Sequence, residues 1–265
     1  MKQLILTLIL FLAVFFNVTA QENIFGKENE FPANEIRYVF GDNVKLREAS
    51  DVNSKVILLL KIGAEITVLE KTANFLFYNG INSYWYKVAY KNSIGFILGG
   101  LISLDKKEVD NSKYLLSSKK ENSTYYIIVR VVNEDKPYLE NSSLLGIEQG
   151  FSMKIFDNQG VESIENMVYI DFMVESCGFN GGGYYLFNDG NTLKKAIELT
   201  QIGDGGVYWF GEELIFPTNK NGKKGVILYE KEEGEVLDEK TNHTKIIIEK
   251  KELIWKGKTF IQNKD

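Results

Sequence analysis

Short alternating apolar runs, separated by Gly and Asn, occupy residues 41–104 and constrain the fold more than any single reactive residue does. Alternation with a period of two puts every second side chain on one face of an extended chain, and Gly and Asn favour the turns between strands. The runs lie at residues 44–47, 56–57, 60–69, 85–88 and 95–97. The pattern predicts an all-β fold that begins with a small five-stranded antiparallel barrel over residues 35–104.

The ordered string of motifs in this segment resembles the bacterial SH3-like (SH3b) family. The motifs that carry the resemblance are Val44-Lys45-Leu46-Arg47, Ala49-Ser50, Val56-Ile57, Gly63 with Ile66-Thr67-Val68-Leu69, Trp85-Tyr86-Lys87-Val88 and Gly95-Phe96-Ile97. The sequence departs from the family pattern where Lys45 replaces Asn, Ala49 replaces Pro and Phe96 replaces Trp. The resemblance implies an extracytoplasmic module, of a kind often attached to cell-wall enzymes, that binds peptidoglycan stem peptides or cross-bridges.

Strand alternation selects candidate binding residues in this module. If Val88 faces the barrel core, Tyr86 and Tyr84 share its face, and Trp85 and Lys87 point outward. An outward indole beside a lysine is suited to a peptide or sugar ligand. The alternative is that Trp85 packs under a loop or against the following domain. The predicted ligand-binding set is Tyr78, Trp85, Lys87 and Phe96.

The rest of the chain is predicted to be a linker followed by a larger antiparallel β-domain. Residues 105–123 are charged and serine-bearing, which favours a solvated linker. Residues 124–265 hold successive Tyr-, Ile- and Val-rich runs, with Asn-Gly and Asp-Gly turn dipeptides between several of them, which indicates a sandwich or a meander. Residues 191–200 fit either a short helix or a strand.

The amino terminus and the net charge bear on location and partners. Residues 1–20 are predicted to be a signal peptide, because Lys2 precedes an apolar run and Val18-Thr19-Ala20 forms a cleavage site. Residues 21–34 are predicted to be a flexible lead-in. We expect a protein exported to the periplasm or the exterior, with no membrane span after removal of the signal. The net charge of −5 disfavours nucleic-acid binding. The single cysteine permits no internal disulfide.

The candidates for catalysis and metal binding are weak. Cys177 and His243 are the one thiol–imidazole pair in the sequence, but no helix start precedes the cysteine to activate it. One Cys and one His do not complete a zinc site. The oxygen-rich segments 157–160 and 188–191 lack the order of a calcium loop, so turn chemistry accounts for both. The sequence therefore predicts no cofactor and no metal.

Three further features have a functional and a structural interpretation. The paired carboxylates Asp171/Glu175 and Glu212/Glu213 would suit glycoside hydrolysis only across a cleft. The run 181–183, Gly-Gly-Gly, lacks the Lys-Ser/Thr of a phosphate loop, and a hairpin connection with close backbone approach explains it better. In the cluster 208–210, alternation puts Tyr208 and Phe210 in the core and Trp209 outside.

The sequence thus favours a secreted, non-catalytic binding protein that attaches to cell-wall peptide or to an extracellular protein. Two alternatives stay open. One is a cell-wall hydrolase with its site in residues 124–262. The other is a structural or regulatory interaction protein in which the barrel contacts the second domain.

Overall fold

The computed structural model describes residues 30–133, 136–145, 150–173, 181–238, 240–241 and 243–263. These residues form an all-β protein in which every strand pairing is antiparallel and one short 3-10 turn, Gly99–Leu101, is present. The strands form three sheets. The all-β prediction is therefore confirmed. The predicted signal peptide lies outside the described residues.

The first sheet has six strands in the order β1-β4-β5-β6-β2-β3. Its strands are β1 Ile36–Tyr38, β2 Val44–Arg47, β3 Val56–Leu60, β4 Glu65–Tyr78, β5 Ile81–Tyr90 and β6 Ser93–Leu98. The inward face carries Val68, Tyr86 and Val88, all of which belong to the main hydrophobic core. The alternation predicted for the Tyr86–Val88 segment is thus confirmed.

The second sheet has four strands in the order β10-β9-β8-β7. Its strands are β7 Asp105–Val109, β8 Ser112–Glu121, β9 Thr124–Val132 and β10 Leu139–Leu144. Residues 105–123 therefore form a paired hairpin, and the prediction of a solvated linker is corrected. The prediction was wrong because the ends of β8 are charged, whereas its centre is buried. Tyr114, Leu115 and Leu116 have no exposed surface.

Both faces of the second sheet are covered, which explains why β8 lacks a polar face at its centre. Tyr114 and Leu116 belong to the main core, whereas Leu115 packs with Phe40 and Ile128 on the opposite face. A strand buried on both sides reads as a continuous apolar run, and in β8 that run is only three residues long.

The third sheet is an eight-stranded meander in which the strands follow one another in chain order, curled into a half-barrel. Its strands are β11 Gly150–Asp157, β12 Asn166–Met173, β13 Gly181–Asn188, β14 Leu193–Asp204, β15 Tyr208–Ile215, β16 Ile227–Asp238, β17 His243–Trp255 and β18 Phe260–Gln262. Residues 193–200, left open between helix and strand, belong to β14. The main core cluster extends from the first sheet through the second to β11–β14.

A buried polar network fastens the second sheet to the third. Tyr114 on β8 donates its hydroxyl hydrogen to Asn166 Oδ1 and accepts a hydrogen bond from Asn188 Nδ2, each at 2.9 Å. All three side chains are buried. Burial raises the pKa of Tyr114 to about 12, so the phenol is protonated and able to donate at neutral pH.

Tyr114→Phe is expected to destabilise the protein by about 1–3 kcal/mol, because it leaves two buried amides without this partner while the ring stays in place. Urea denaturation at neutral pH measures the change. Tyr138→Phe, at an exposed tyrosine, is the control. A loss in Tyr114→Phe no larger than that of the control would show that the two sheets are not held by this network.

Candidate functional site

The predicted binding residues Lys87 and Phe96 lie side by side on the outer face of the first sheet. Lys87 on β5 pairs with Phe96 on β6, and Phe96 pairs in turn with Arg47 on β2. On its other side Lys87 pairs with Glu70 on β4. Lys87 and Phe96 are half-buried. The four paired residues therefore form a row of charged and aromatic side chains across the sheet.

Trp85 does not have the exposure that a ligand platform requires. It lies two residues from Lys87 on the same face of β5, but only 4% of its surface is exposed. It shares a shallow depression with residues 50–52 and 73–76, all from the first sheet and its loops. The expectation of a solvent-facing indole is corrected in favour of packing under a loop, since a loop can cover the outward face of a strand without changing its alternation.

Tyr78 lies at the end of β4, away from the other predicted residues. It pairs with Ile81 across the hairpin turn and packs its ring against Gly100. The turn itself, Asn79-Gly80, has positive φ at both residues and rests on β8, where Lys120 N donates to Asn79 O at 2.8 Å. The predicted set is therefore not one site: Lys87 and Phe96 adjoin, Trp85 is covered, and Tyr78 belongs to a different contact.

A cleft of about 340 Å³ lies between the first sheet and the second. Its aromatic walls come from Phe77 on β4, Tyr84 and Tyr86 on β5, and Tyr125 on β9. The other residues that line it are Glu30, Phe31, Gly80, Ile81, Asn82, Ser83, Gly99, Gly100, Ile102, Leu104, Ser117, Ser118 and Lys120. The cleft thus combines apolar and polar walls.

The rim of the cleft exposes an aromatic ring that the fold does not use. Phe77 is 76% exposed, the largest exposure among the described large hydrophobic residues. Phenylalanine at such exposure contributes little to folding and offers apolar surface to a ligand. Tyr84 beside it is half-buried and contacts the ring of Phe75, with centroids 5.7 Å apart.

Charges of both signs border the cleft. Lys71 forms an ion pair with Glu30 and holds its ammonium 3.9 Å from the centroid of the Tyr84 ring. The hydrogen bond to Glu30 raises the pKa of Lys71, so this side chain is cationic at neutral pH. On the opposite wall the ammonium of Lys120 lies 5.1 Å from the centroid of the Tyr125 ring. One carboxylate and two ammonium groups are thus within the border of an aromatic cleft.

The base of the cleft is fixed by buried contacts. Tyr86 stacks edge-on against Phe31, with centroids 5.2 Å apart, and its hydroxyl oxygen accepts a hydrogen bond from the Phe31 backbone N–H at 3.4 Å. Burial raises the pKa of Tyr86. Ser83 Oγ accepts from the Gly100 N–H at 2.6 Å and fixes the floor beside the hairpin. The base of the cleft is therefore held by buried contacts, whereas Phe77 on its rim is exposed.

The third sheet carries a second depression, of about 330 Å³, between β14 and β17. Trp209 donates its indole N–H to Glu232 Oε1 at 2.7 Å, and its ring lies against Gly234. Tyr208, Trp209 and Phe210 are all half-buried. The expectation that Tyr208 and Phe210 lie in the core is corrected, because this part of the sheet extends beyond the packed layers.

The carboxylates proposed for hydrolysis are engaged elsewhere or point apart. Asp171 forms an ion pair with Lys154 at 2.8 Å, and its suggested partner Glu175 lies outside the described residues. Glu212 accepts hydrogen bonds from the Tyr229 hydroxyl at 2.5 Å and from the Thr200 N–H at 2.8 Å. Its neighbour Glu213 faces the other side of β15, as strand geometry requires.

The thiol–imidazole hypothesis rests on one described residue. His243 begins β17 and is exposed, as expected of a surface histidine, whereas Cys177 lies outside the described residues. Asp157 and Asp189 cap their own turns: Asp157 accepts from Gln159 N at 2.9 Å, and Asp189 accepts from Thr192 N at 2.6 Å. Among the described residues no cluster of three or more His, Cys, Asp or Glu side chains is placed to hold a metal ion.

Nor do the described segments include a helix with the length and apolar character needed to cross a membrane. Searches against models of protein families, curated proteins and solved structures gave no match for this chain.

Proposed function

We propose that this chain is an exported, non-catalytic binding protein that attaches to cell-envelope peptide through the cleft between its first two sheets. The first sheet is proposed to act as an SH3-like module, on the resemblance of its motifs. The observation that carries the proposal is the combination of an exposed Phe77 with half-buried tyrosines and charges of both signs around one preformed cleft.

The chemistry of the cleft suits a peptide better than a polyanion. Aromatic rings and glycine-lined backbone accept the methyl groups and backbone of a short extended peptide. Lys120 and the Glu30–Lys71 pair supply partners for the carboxylates and amines of a stem peptide or cross-bridge. The net charge of −5 does not favour nucleic acid.

Neither alternative function has a described ligand site of comparable geometry. A hydrolase would need free, facing catalytic groups, and the described candidates Asp171 and Glu212 are bonded to other side chains. An interaction protein of the kind considered needs the barrel to contact the second domain, and the continuous main core provides that contact, but the described part of the second domain does not cover Trp85. The residues that share its depression come from the first sheet and its loops.

Phe77→Ala is expected to weaken retention on purified peptidoglycan by about tenfold or more, because an exposed aromatic anchor at a binding site contributes roughly 1–2 kcal/mol or more. Ile94→Ala is the matched control, since Ile94 lies on the same sheet and is 56% exposed but does not line the cleft. Lys87→Ala tests the row beside Trp85 and should leave binding unchanged.

A second arm of the experiment separates the ligand sources. Peptidoglycan treated with an amidase loses its stem peptides and keeps its glycan strands. The proposal expects retention to fall with the peptides. Full retention on the stripped glycan, or equal retention of wild type and Phe77→Ala, would contradict it.

A further inference from the structure

The far half of β17 is an open sheet edge that carries an unusual amount of apolar surface. β16 pairs with β17 along its length, but on the other side β18 pairs only with Leu253–Trp255. Within the described residues no strand covers the remaining edge, from residue 243 to 252. Three consecutive residues there, Ile246, Ile247 and Ile248, are each about half exposed, at 51%, 49% and 55%.

Such an edge is a template for a further strand. Its unpaired N–H and C=O groups accept another chain, and natural proteins usually protect long apolar edges with charge, proline or a cover. We propose that the occupant is β17 of a second copy of this chain, joined antiparallel across a two-fold axis. This inference does not depend on the proposed cleft ligand.

The hydrogen-bonding side of each residue limits the registers that are available. The Glu252 carbonyl accepts a hydrogen bond from the Asn263 N–H at 2.8 Å, so the backbone polar groups of Glu252 point to the open edge. By the alternation of an antiparallel strand, those of Lys250, Ile248, Ile246 and Thr244 do so as well. Two such edges join only where even-numbered residues meet even-numbered residues, so the axis must pass through a residue and not between two.

Side-chain chemistry then selects one of these registers. With the axis at Ile247, that residue meets its own copy, Ile246 meets Ile248 of the other chain, and Lys245 meets Glu249. The Ile247 contact lies on the axis and occurs once, whereas each of the other contacts occurs twice by symmetry. Directly opposed β-branched residues and opposite charges are the pairs that stabilise antiparallel strands.

The neighbouring registers are unfavourable. With the axis at Ile248, Lys245 meets Lys251 and Ile247 meets Glu249. With the axis at Ile246, Lys245 meets Ile247, and Glu249 meets His243 instead of a lysine. The chosen register also fits the length of the edge, because it pairs residues 243–251 and ends before Leu253, where the pairing of β17 with β18 begins. The result is an isologous dimer with one continuous sheet through both copies.

Sedimentation velocity over a concentration series tests the proposal on the purified protein. Wild type should show a concentration-dependent shift from monomer to dimer. Lys245→Glu should weaken dimerisation by about tenfold, because it places a glutamate opposite Glu249 of the other chain at each of the two symmetric positions. The charge-swapped double variant Lys245→Glu/Glu249→Lys should restore it, and Lys220→Glu, at an exposed loop lysine, should behave as wild type.

Circular dichroism checks that each variant folds. We expect every variant to fold, because Lys245 is exposed. Four outcomes would overturn the proposal. The first three are a monomer at every concentration, a dimer insensitive to Lys245→Glu, and a double variant that dimerises no better than the single one. The fourth is a full chain that stays monomeric while a variant without residues 1–29 dimerises, which would mean that this segment covers the edge.

Discussion

Gly182→Ala is expected to cost about 4 kcal/mol or more of unfolding free energy, enough to leave much of the protein unfolded at room temperature. Gly182 lies in β13, between β12 and β14, and its φ of +100° is one that L side chains rarely adopt. A Cβ at this position would lie 2.1 Å from the carbonyl oxygen of Leu199. That oxygen is backbone in a paired strand, so relief requires the ladder between β13 and β14 to separate.

The matched control for this substitution is Gly203→Ala in the neighbouring strand β14. A Cβ at Gly203 meets no atom within 4 Å, so the same chemical change should leave the free energy of unfolding within about 1 kcal/mol of wild type. Urea denaturation monitored by tryptophan fluorescence compares the two variants. Equal midpoints for Gly182→Ala and Gly203→Ala would contradict the close approach of β13 to β14.

The protein is expected to lose stability steeply between pH 10 and pH 12 because several buried or half-buried tyrosines resist ionisation. Burial raises the pKa of Tyr114 and of Tyr185 to about 12, and it raises the pKa of Tyr169 and Tyr184 as well. A folded-state pKa above the unfolded value means that the unfolded chain releases its proton first. The stabilisation is therefore complete below the unfolded pKa of about 10 and is lost as pH rises through the folded pKa.

The magnitude follows from the linkage relation. A shift of about two pH units corresponds to about 3 kcal/mol for each of Tyr114 and Tyr185, which together approach the whole stability of a typical domain. Urea midpoints measured from pH 7 to pH 12 should stay level to about pH 9.5 and then fall. Tyr185→Phe should make the fall shallower, since it removes one of the groups. A midpoint that is flat to pH 12 would contradict the burial of these phenols.

The alternation of apolar and polar residues predicted the strands that have one polar and one apolar face. It failed for a strand that is buried on both faces. Val88 and Tyr86 lie inward as predicted, because the first sheet packs on one face. The run 181–183 makes the close backbone approach that its glycines indicated, but the prediction of a hairpin connection was wrong, because the run lies within β13. In β8, by contrast, both faces are buried at Tyr114–Leu116, so the strand has no alternation to recognise and its flanking lysines resemble a linker.

The candidate cleft could not be predicted from any one segment. Its walls come from the β4–β5 hairpin, the Gly99-Gly100 turn and strands β8 and β9, which are brought together by contacts distant in sequence. Gly80 illustrates the point: a Cβ there would lie 1.9 Å from the carbonyl oxygen of Lys120, so the hairpin sits on β8 only because this residue has no side chain. Nothing in the local sequence pairs positions 80 and 120.

The prediction for Trp85 failed for a related reason. Alternation correctly assigned it to the face opposite Val88, but it does not reveal that loops of the same sheet cover this face. The residues 50–52 and 73–76 that share its depression are separated from it by at least nine positions. Exposure depends on those loops and not on the strand.

The most direct test of the account is to map the binding site by amide chemical shifts, with soluble stem-peptide fragments titrated into the isotope-labelled protein. Saturable changes are expected at Phe77, Asn82, Lys120 and Tyr125 around the cleft, with little change at Lys87 and Phe96. Changes confined to Lys87 and Phe96, or no saturable change at any residue, would contradict it.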